Sequence, residues 1–321
     1  MTLQPGMDHD IHAFSAQPWR PERAWRSGRK LAVYLLLHVE HTEIVPPADT
    51  HRDPRFRGAF FSGTPDWTAY TLRDYGNRIG AWRILDVLDR LKLPASVAVN
   101  LMAAQRHPEL VAACRDRGFE PVAHGVSASR MPTSRMTEAE ERAAIIEVRD
   151  GLAAIWPGAT GWLGQDHGAT AHTTRLLAEA GFAYGLDWAN DEEPYHHASG
   201  LVAMPPPGEW DDVQTLVLRR VPVPRWPGLV RDAVERLVAE ERGGRVLGIG
   251  IHPWVMGAPH RIRYLAESLA WLAARDDIEV TTAGALAADA LGVAPPTSSR
   301  DRGASPDRFL VLRPFRSPRD S

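Results

Sequence analysis

The chain has 321 residues, of which 44% are hydrophobic and 24% charged, with a formal net charge of −3. That composition can bury a large core, and its near-balanced charge offers no basic face for nucleic acid or an anionic membrane. A single cysteine, Cys114, excludes an internal disulfide. No run is long and apolar enough for a transmembrane helix.

Residues 1–28 are polar and carry Pro5, Pro18 and Pro21, which predicts an arm laid on the surface. The first residues lack a basic segment followed by an apolar core, so no signal peptide is expected and the cytoplasm is the expected compartment. From Leu31 onward, strand-like runs alternate with helix-like ones. The strands are expected at 31–39, 96–100, 120–123, 161–163, 183–187, 201–204, 246–251 and 278–281. Each is short, apolar and bounded by Gly, Pro or polar residues, as parallel strands buried on both faces should be. Helical spacing marks 79–91, 172–180, 229–242, 262–274 and 283–291. A further helix over 138–156 follows Thr137, with Glu140 three residues on, the pattern of a capping box. Cys114 falls on the apolar side of another helix and reads as a buried thiol.

About eight strands with helices between them favour a (β/α) barrel over an open doubly wound sheet. Two intervals, 41–78 and 188–228, are too long for simple connections and are expected to be lids. Trp67, Trp188, Trp210 and Trp226 argue against disorder there. From 293 the chain is rich in Ser, Arg, Asp and Pro, which predicts a flexible tail, with 309–312 as an apolar fragment inside it. The expected organisation is an arm over 1–28, an α/β barrel over 29–292 and the tail over 293–321.

Polar groups recur at the C-terminal ends of these strands, the rim that barrel enzymes use for chemistry. Glu40 follows the first strand, Asn100 the second and His124 the third. Trp162 and Gly164 follow the fourth, Asp187 and Trp188 the fifth, and His252 the strand 246–251. His38 and Glu40 share a face because side chains alternate along a strand. His124 fits a general base, a metal ligand or a turn histidine equally well in isolation. Gly248 and Gly250 open the strand before His252 to close approach. Asp187 and Asp191 bracket Trp188, an arrangement that can orient a histidine, bind polar substrate edges or cap a loop. Arg78, just before a helix, could clamp a carbonyl or pair on the surface. The phosphate-binding, dinucleotide, serine-elbow and zinc-protease motifs are absent.

In order, these pieces resemble the polysaccharide deacetylase (NodB-homology) superfamily, and within it the branch of allantoinases and related imide hydrolases. The matching pieces are His-Val-Glu40, Asp74-Tyr-Gly-Asn-Arg-Ile-Gly-Ala-Trp-Arg83, Glu120-Pro-Val-Ala-His-Gly125 and Gly161-Trp-Leu-Gly164. Thr174-Arg-Leu-Leu-Ala-Glu-Ala-Gly181, Asp187-Trp-Ala-Asn-Asp-Glu-Glu-Pro-Tyr195, Ile251-His-Pro and Gly257-Ala-Pro-His-Arg261 continue the series. The resemblance spans about residues 20–291. It implies a distorted (β/α) barrel that hydrolyses a non-peptide C–N bond in an amide, cyclic imide, ureide or N-acetyl group. Glu40, His124, His252 and Asp187 become the catalytic candidates. Arg78, Trp162, Trp188, Asp191 and Arg261 become the substrate-binding ones.

Metal-dependent members hold one divalent, zinc-like metal on an aspartate after the first strand and on a H-x-x-x-H pair. Here Glu40 and His124 match the first two ligands, whereas the position four after His124 is Ala128. The resemblance therefore allows a metal on Glu40 and His124, metal-independent catalysis, a site rearranged around His38, Asp166 or His167, or loss of hydrolysis. The alternatives to a small-molecule hydrolase are a ligand-binding pseudoenzyme and a glycan N-deacetylase. The expected partner is a small polar substrate, without nucleic acid or membrane, and relatives of the branch commonly form homo-oligomers.

Overall fold

The nine residues of strand β1 (Leu31–Val39) are buried on both faces, and they form the spine of a curled parallel sheet. The computed structural model describes residue 4, residues 7–48 and 50, and residues 63–292. The expected tail, with its fragment 309–312, lies outside the described residues, as does part of the 41–78 interval. Strand β8 (Arg245–Ile251) runs along one edge of β1, in register from Leu31↔Arg245 to Leu37↔Ile251. The other edge is shared. Strand β9 (Ile278–Thr281) pairs with its first half and β2 (Ser96–Val99) with its second. Beyond β2 the sheet continues through β3 (Glu120–Ala123), β4 (Gly161–Trp162), β5 (Tyr184–Gly185) and β7 (Val202–Ala203), all parallel. β6 (Tyr195–His196) adds an antiparallel edge on β7.

The sheet curls into a distorted (β/α) barrel. Among the described residues no ladder joins β7 to β8. The seam is spanned by an isolated bridge between Asp211 and Gly250, and by the Tyr34 hydroxyl donating to the Pro205 carbonyl at 2.7 Å. Alternation along β1 separates two cores. Leu31, Val33, Leu35, Leu37 and Val39 pack outward under the helices. Ala32, Tyr34 and Leu36 point inward with Ala98, Val122, Leu163 and Leu186. Continuing that inward column upward by twos brings His38 and Glu40 to the barrel mouth.

The helices are α1 (Trp67–Tyr75), α2 (Ala81–Leu91), α3 (Leu101–Arg106), α4 (Pro108–Asp116), α5 (Glu138–Ile155), α6 (Thr173–Glu179), α7 (Trp226–Ala239), α8 (Pro253–Met256), α9 (Ile262–Ala273) and α10 (Ala283–Ala290). In α2, Ile84, Leu85, Val87 and Leu88 form the buried stripe that helical spacing predicts. At the start of α5, the Thr137 side chain accepts from the Glu140 amide while Glu140 Oε2 accepts from the Thr137 amide at 2.7 Å, the expected capping box. Cys114 is buried, and burial pushes its thiol up to about 12.

The expectation of a plain lid over 41–78 is corrected. Asp66 caps α1, which runs on through a π turn at Gly76–Gly80 into α2. Only Ala69 of α1 is buried, so the segment lacks the apolar stripe that announces a helix. The π turn lies tightly against α8, where Gly80 and Gly257 meet backbone to backbone. A Cβ on Gly80 would collide with the Pro253 carbonyl oxygen. Overpacking of this kind costs about 1–3 kcal/mol. Gly80→Ala should therefore lower the urea midpoint of unfolding, and an unchanged midpoint would remove this contact from the account of the fold.

Candidate active site

β1, β3 and β8 converge at the mouth of the barrel and present His38 and Glu40, His124, and His252. All four are at least 93% buried, with exposures of 5%, 4%, 2% and 7%. They line a pocket together with Arg73, Leu163, Gly164, Gln165, Asp166, His167, Asp211, Val213, Gln214 and Trp254.

Glu40 is held from four sides. Its Oε2 accepts from Arg73 Nε at 3.1 Å, and its Oε1 faces His124 Nε2 and Gln165 Nε2, each at 3.4 Å. Its backbone carbonyl accepts from Asn77 Nδ2 at 2.8 Å. Burial alone would raise the carboxyl. The Arg73 guanidinium and the His124 contact outweigh it and hold Glu40 well below the usual carboxylate range. His124 is fixed in turn, with Nδ1 donating to the Leu163 carbonyl at 2.8 Å. Asn100 also holds this rim. It donates to the His124 carbonyl and accepts from the His41 amide.

His252 Nδ1 donates to Asp212 Oδ1 at 2.7 Å, and its backbone amide donates to Asp212 Oδ2 at 2.9 Å. Asp211 Oδ2 stands 3.6 Å from the same ring nitrogen. Asp211 gets there because Gly250 has no side chain. A Cβ at that position would collide with the Asp211 carboxylate. Burial lowers the proton affinity of His252, but Asp211 and Asp212 overcome it and raise the imidazole to about 9. His38 stacks on His252, with ring centroids 3.8 Å apart and planes 15° from parallel. Neither ring nitrogen of His38 has a hydrogen-bond partner among the described residues. Burial, then the neighbouring His252 and His124, drives its proton affinity well below the ordinary histidine range. Two stacked imidazoles are thus pushed in opposite directions, one held as a cation and one kept neutral.

The loop after β4 supplies the far wall. Asp166 and His167, both non-glycine, take left-handed backbone angles of φ 55° and 56°, a conformation that costs on the order of 1–3 kcal/mol each. Gly164 and Gly168 permit this, because a Cβ on Gly164 would collide with the Gly168 carbonyl oxygen.

Other sequence candidates lie elsewhere. Arg78 is on the surface, paired with Asp74 at 3.3 Å. The guanidinium that enters the pocket is Arg73, five positions earlier on α1. Trp162 packs outward against Phe182 with centroids 5.4 Å apart, and its neighbour Leu163 points inward. Strand alternation explains the swap. Trp188 rests against His9, His12 and His197. Asp191 pairs with Arg20 of the N-terminal arm at 2.7 Å. Arg261 reaches the Val255 carbonyl at 3.5 Å and does not line the pocket. Asp187 sits behind the wall and accepts from the Gly164 amide at 2.6 Å, and burial raises its carboxyl to about 7. The carboxylate that orients a histidine is Asp212, which sequence reasoning missed inside the 188–228 interval. The available signal was the Asp211-Asp212 pair beside a strand whose Gly250 leaves room for it.

His38, Glu40 and His252 each offer a ligand atom within 4.8 Å of the others, and so do Asp211, Asp212 and His252. Ala128 offers none. Its amide donates to the His41 carbonyl at 2.8 Å. The neighbouring Ser127 and Ser129 hydroxyls donate to Glu43 Oε2 at 2.9 and 2.8 Å, and Arg130 pairs with the same carboxylate.

The His252 pair has a consequence for stability. A histidine raised from about 6.5 in the unfolded chain stabilises the fold fully below pH 6.5, and the effect is lost as pH rises through 9. Wild-type unfolding free energy should fall by about 1–3 kcal/mol between pH 6.5 and 9. In Asp212→Asn that slope should shrink. Equal slopes in urea titrations of the two proteins would contradict the pairing.

Comparison with known proteins places this geometry. The family model for polysaccharide deacetylase matches residues 63–185. The name "putative polysaccharide deacetylase" is carried by two relatives. One, from Schizosaccharomyces pombe, is 25% identical over 235 residues, covering 65% of this chain and 72% of that protein. The other is a solved structure from Mycobacterium smegmatis, 25% identical with a TM-score of 0.70, covering 88% of this chain and 98% of that one. The structure of Puue allantoinase shares the fold, with a TM-score of 0.75 at 24% identity over 92% of this chain and all of that one. The chain is similar to the polysaccharide deacetylase family over residues 63–185, and it shares the fold of the solved deacetylase and allantoinase structures.

Proposed function

We propose that the protein hydrolyses an amide, cyclic imide or ureide C–N bond in a small polar substrate, with His38 as the base and His252 as the acid. One observation carries this reading: the two histidines are stacked in one pocket, with proton affinities pushed apart. Titratable pairs separated in this way mark the acid and base of a site. Neutral His38 takes a proton from water as the oxygen attacks the carbonyl carbon. His252, already protonated and oriented by Asp212, delivers a proton to the departing nitrogen as the C–N bond breaks. Glu40 is committed to Arg73, His124 and Gln165. His124, committed to Leu163, orients Glu40.

The family's metal finds a poor match in these side chains. Ala128 removes one ligand, and Arg73 already occupies Glu40 Oε2. A metal lies in the plane of an imidazole that binds it, so near-parallel stacked rings cannot both aim a lone pair at one ion. The polar and charged lining of the pocket supports a small polar substrate. A full set of charged and polar groups in the pocket supports turnover over ligand binding alone. A cytoplasmic setting, self-assembly and the division into arm, barrel and tail belong to the same proposal. Among the described residues, no helix is long and apolar enough to cross a membrane.

The test is a substrate panel of allantoin, hydantoins, cyclic imides and N-acetyl sugars. Turnover of at least one ureide or imide is expected. With that substrate, His252→Ala should slow kcat by about 10²–10⁴-fold, the usual worth of a general acid. An undiminished rate would dismiss His252 from the role, and turnover of N-acetyl sugars alone would move the substrate to glycans.

A further inference from the structure

Among the described residues, Arg73 is the one guanidinium lining the pocket, and no motif singled it out. Its side chain is 18% exposed. Nε is spent on Glu40 Oε2, and the guanidinium carbon lies 5.7 Å from the Trp254 ring centroid. Among the described residues, its two terminal nitrogens make no hydrogen bond. The arginine is therefore clamped at its base by a buried carboxylate, flanked by an aromatic face, and left with N–H groups free on the pocket side.

The position matters because of what surrounds it. In the superfamily pattern the acidic residue after the first strand and a H-x-x-x-H pair share a cation. Here the second histidine position is Ala128, and its loop is tied down through Ser127, Ser129 and Arg130 onto Glu43. Glu40 still needs a positive partner in its buried setting, and Arg73 is that partner. A guanidinium stays protonated throughout the useful pH range and needs no ligand set.

We propose that Arg73 is the electrophile of this site, binding the substrate carbonyl oxygen through its terminal N–H groups in the place where relatives use a metal. The inference rests on the hydrolytic reading above. When the water oxygen bonds to the carbonyl carbon, the C=O π pair moves onto oxygen, and the developing negative charge meets the guanidinium. His38 holds the proton from water. Collapse restores C=O, breaks C–N and places the His252 proton on nitrogen, so the net change is addition of one water. Donors fixed before the reaction stabilise such an oxyanion far better than solvent does. The clamp on Nε also fixes the fork, so little side-chain freedom is lost when substrate binds.

The experiment combines kinetics with zinc calorimetry on the full chain. With a substrate identified from the panel, Arg73→Ala should lower kcat by about 10²–10³-fold with a much smaller change in KM, the signature of a lost oxyanion donor. Free guanidinium should restore part of the Arg73→Ala rate, which a purely structural loss would not allow. Arg73→Lys keeps the charge and serves if Arg73→Ala does not fold; its kcat should fall between wild type and the alanine variant. The wild type should keep its full rate after exhaustive chelation and show no stoichiometric tight zinc binding. The double variant Arg73→Ala, Ala128→His should gain such binding. A wild type that binds one zinc tightly and loses its rate on chelation would overturn the role of Arg73 while leaving C–N hydrolysis intact. So would Arg73 variants with wild-type kcat. Absence of turnover across the panel would instead strike the hydrolytic reading, and the zinc titrations would still decide whether a cation other than Arg73 serves Glu40.

Discussion

A carboxylate buried at the end of the central strand dictates most of what surrounds it. Glu40 is 96% buried, and an ionised carboxylate in that position is tolerated only with charged or hydrogen-bonding partners on every side. Arg73 reaches it from α1, Asn77 from the π turn, His124 from β3 and Gln165 from the loop after β4. Three separate stretches of chain are thereby fixed around one group. The close meeting of Gly80 with α8 follows from the same demand, since the π turn must lie against the barrel rim for Arg73 and Asn77 to arrive.

The opposite wall is organised by a second electrostatic arrangement. Asp212 is fully buried and is matched by His252 through two hydrogen bonds, one from the ring and one from the backbone. That pairing makes His252 the cationic member of the stack and leaves His38 the neutral one, because a second positive ring 3.8 Å away would be repelled. The proposed reaction uses this division directly, with proton acceptor and donor side by side and the Glu40–Arg73 pair across from them. The position four after His124 is Ala128, and its neighbours Ser127, Ser129 and Arg130 brace Glu43.

Much of the fold was readable from the chain because parallel strands buried on both faces appear as short apolar runs. β1, β3 and β9 match their expected ranges, and β2 and β8 match to within one residue. Amphipathic α2, α5 and α9 were equally visible, each by its buried stripe or cap. α1 was not, because it buries a single alanine and displays Trp67 at 56% exposure. The antiparallel edge β6 was also missed, since two residues carry no periodicity. Of the site, the residues that end apolar strands were legible: Glu40, His124 and His252. Trp162 was misplaced by one step of strand alternation, and Arg78 by the rotation of a helix that the chain did not announce.

By itself, then, the order of apolar and polar residues determined the barrel, the inward column from Ala32 to Glu40, and the rim on which chemistry gathers. Those features depend on local periodicity, which is written in neighbouring residues. The approach of Arg73 to Glu40, of Asp212 to His252 and of His38 to His252 was decided only by the tertiary structure. Each joins positions dozens to hundreds of residues apart, and each depends on where the curled sheet brings its seam and its long connections. The charges that set the proton affinities of the site come from those distant contacts, so the chemistry of the pocket emerges only when the barrel has closed around it.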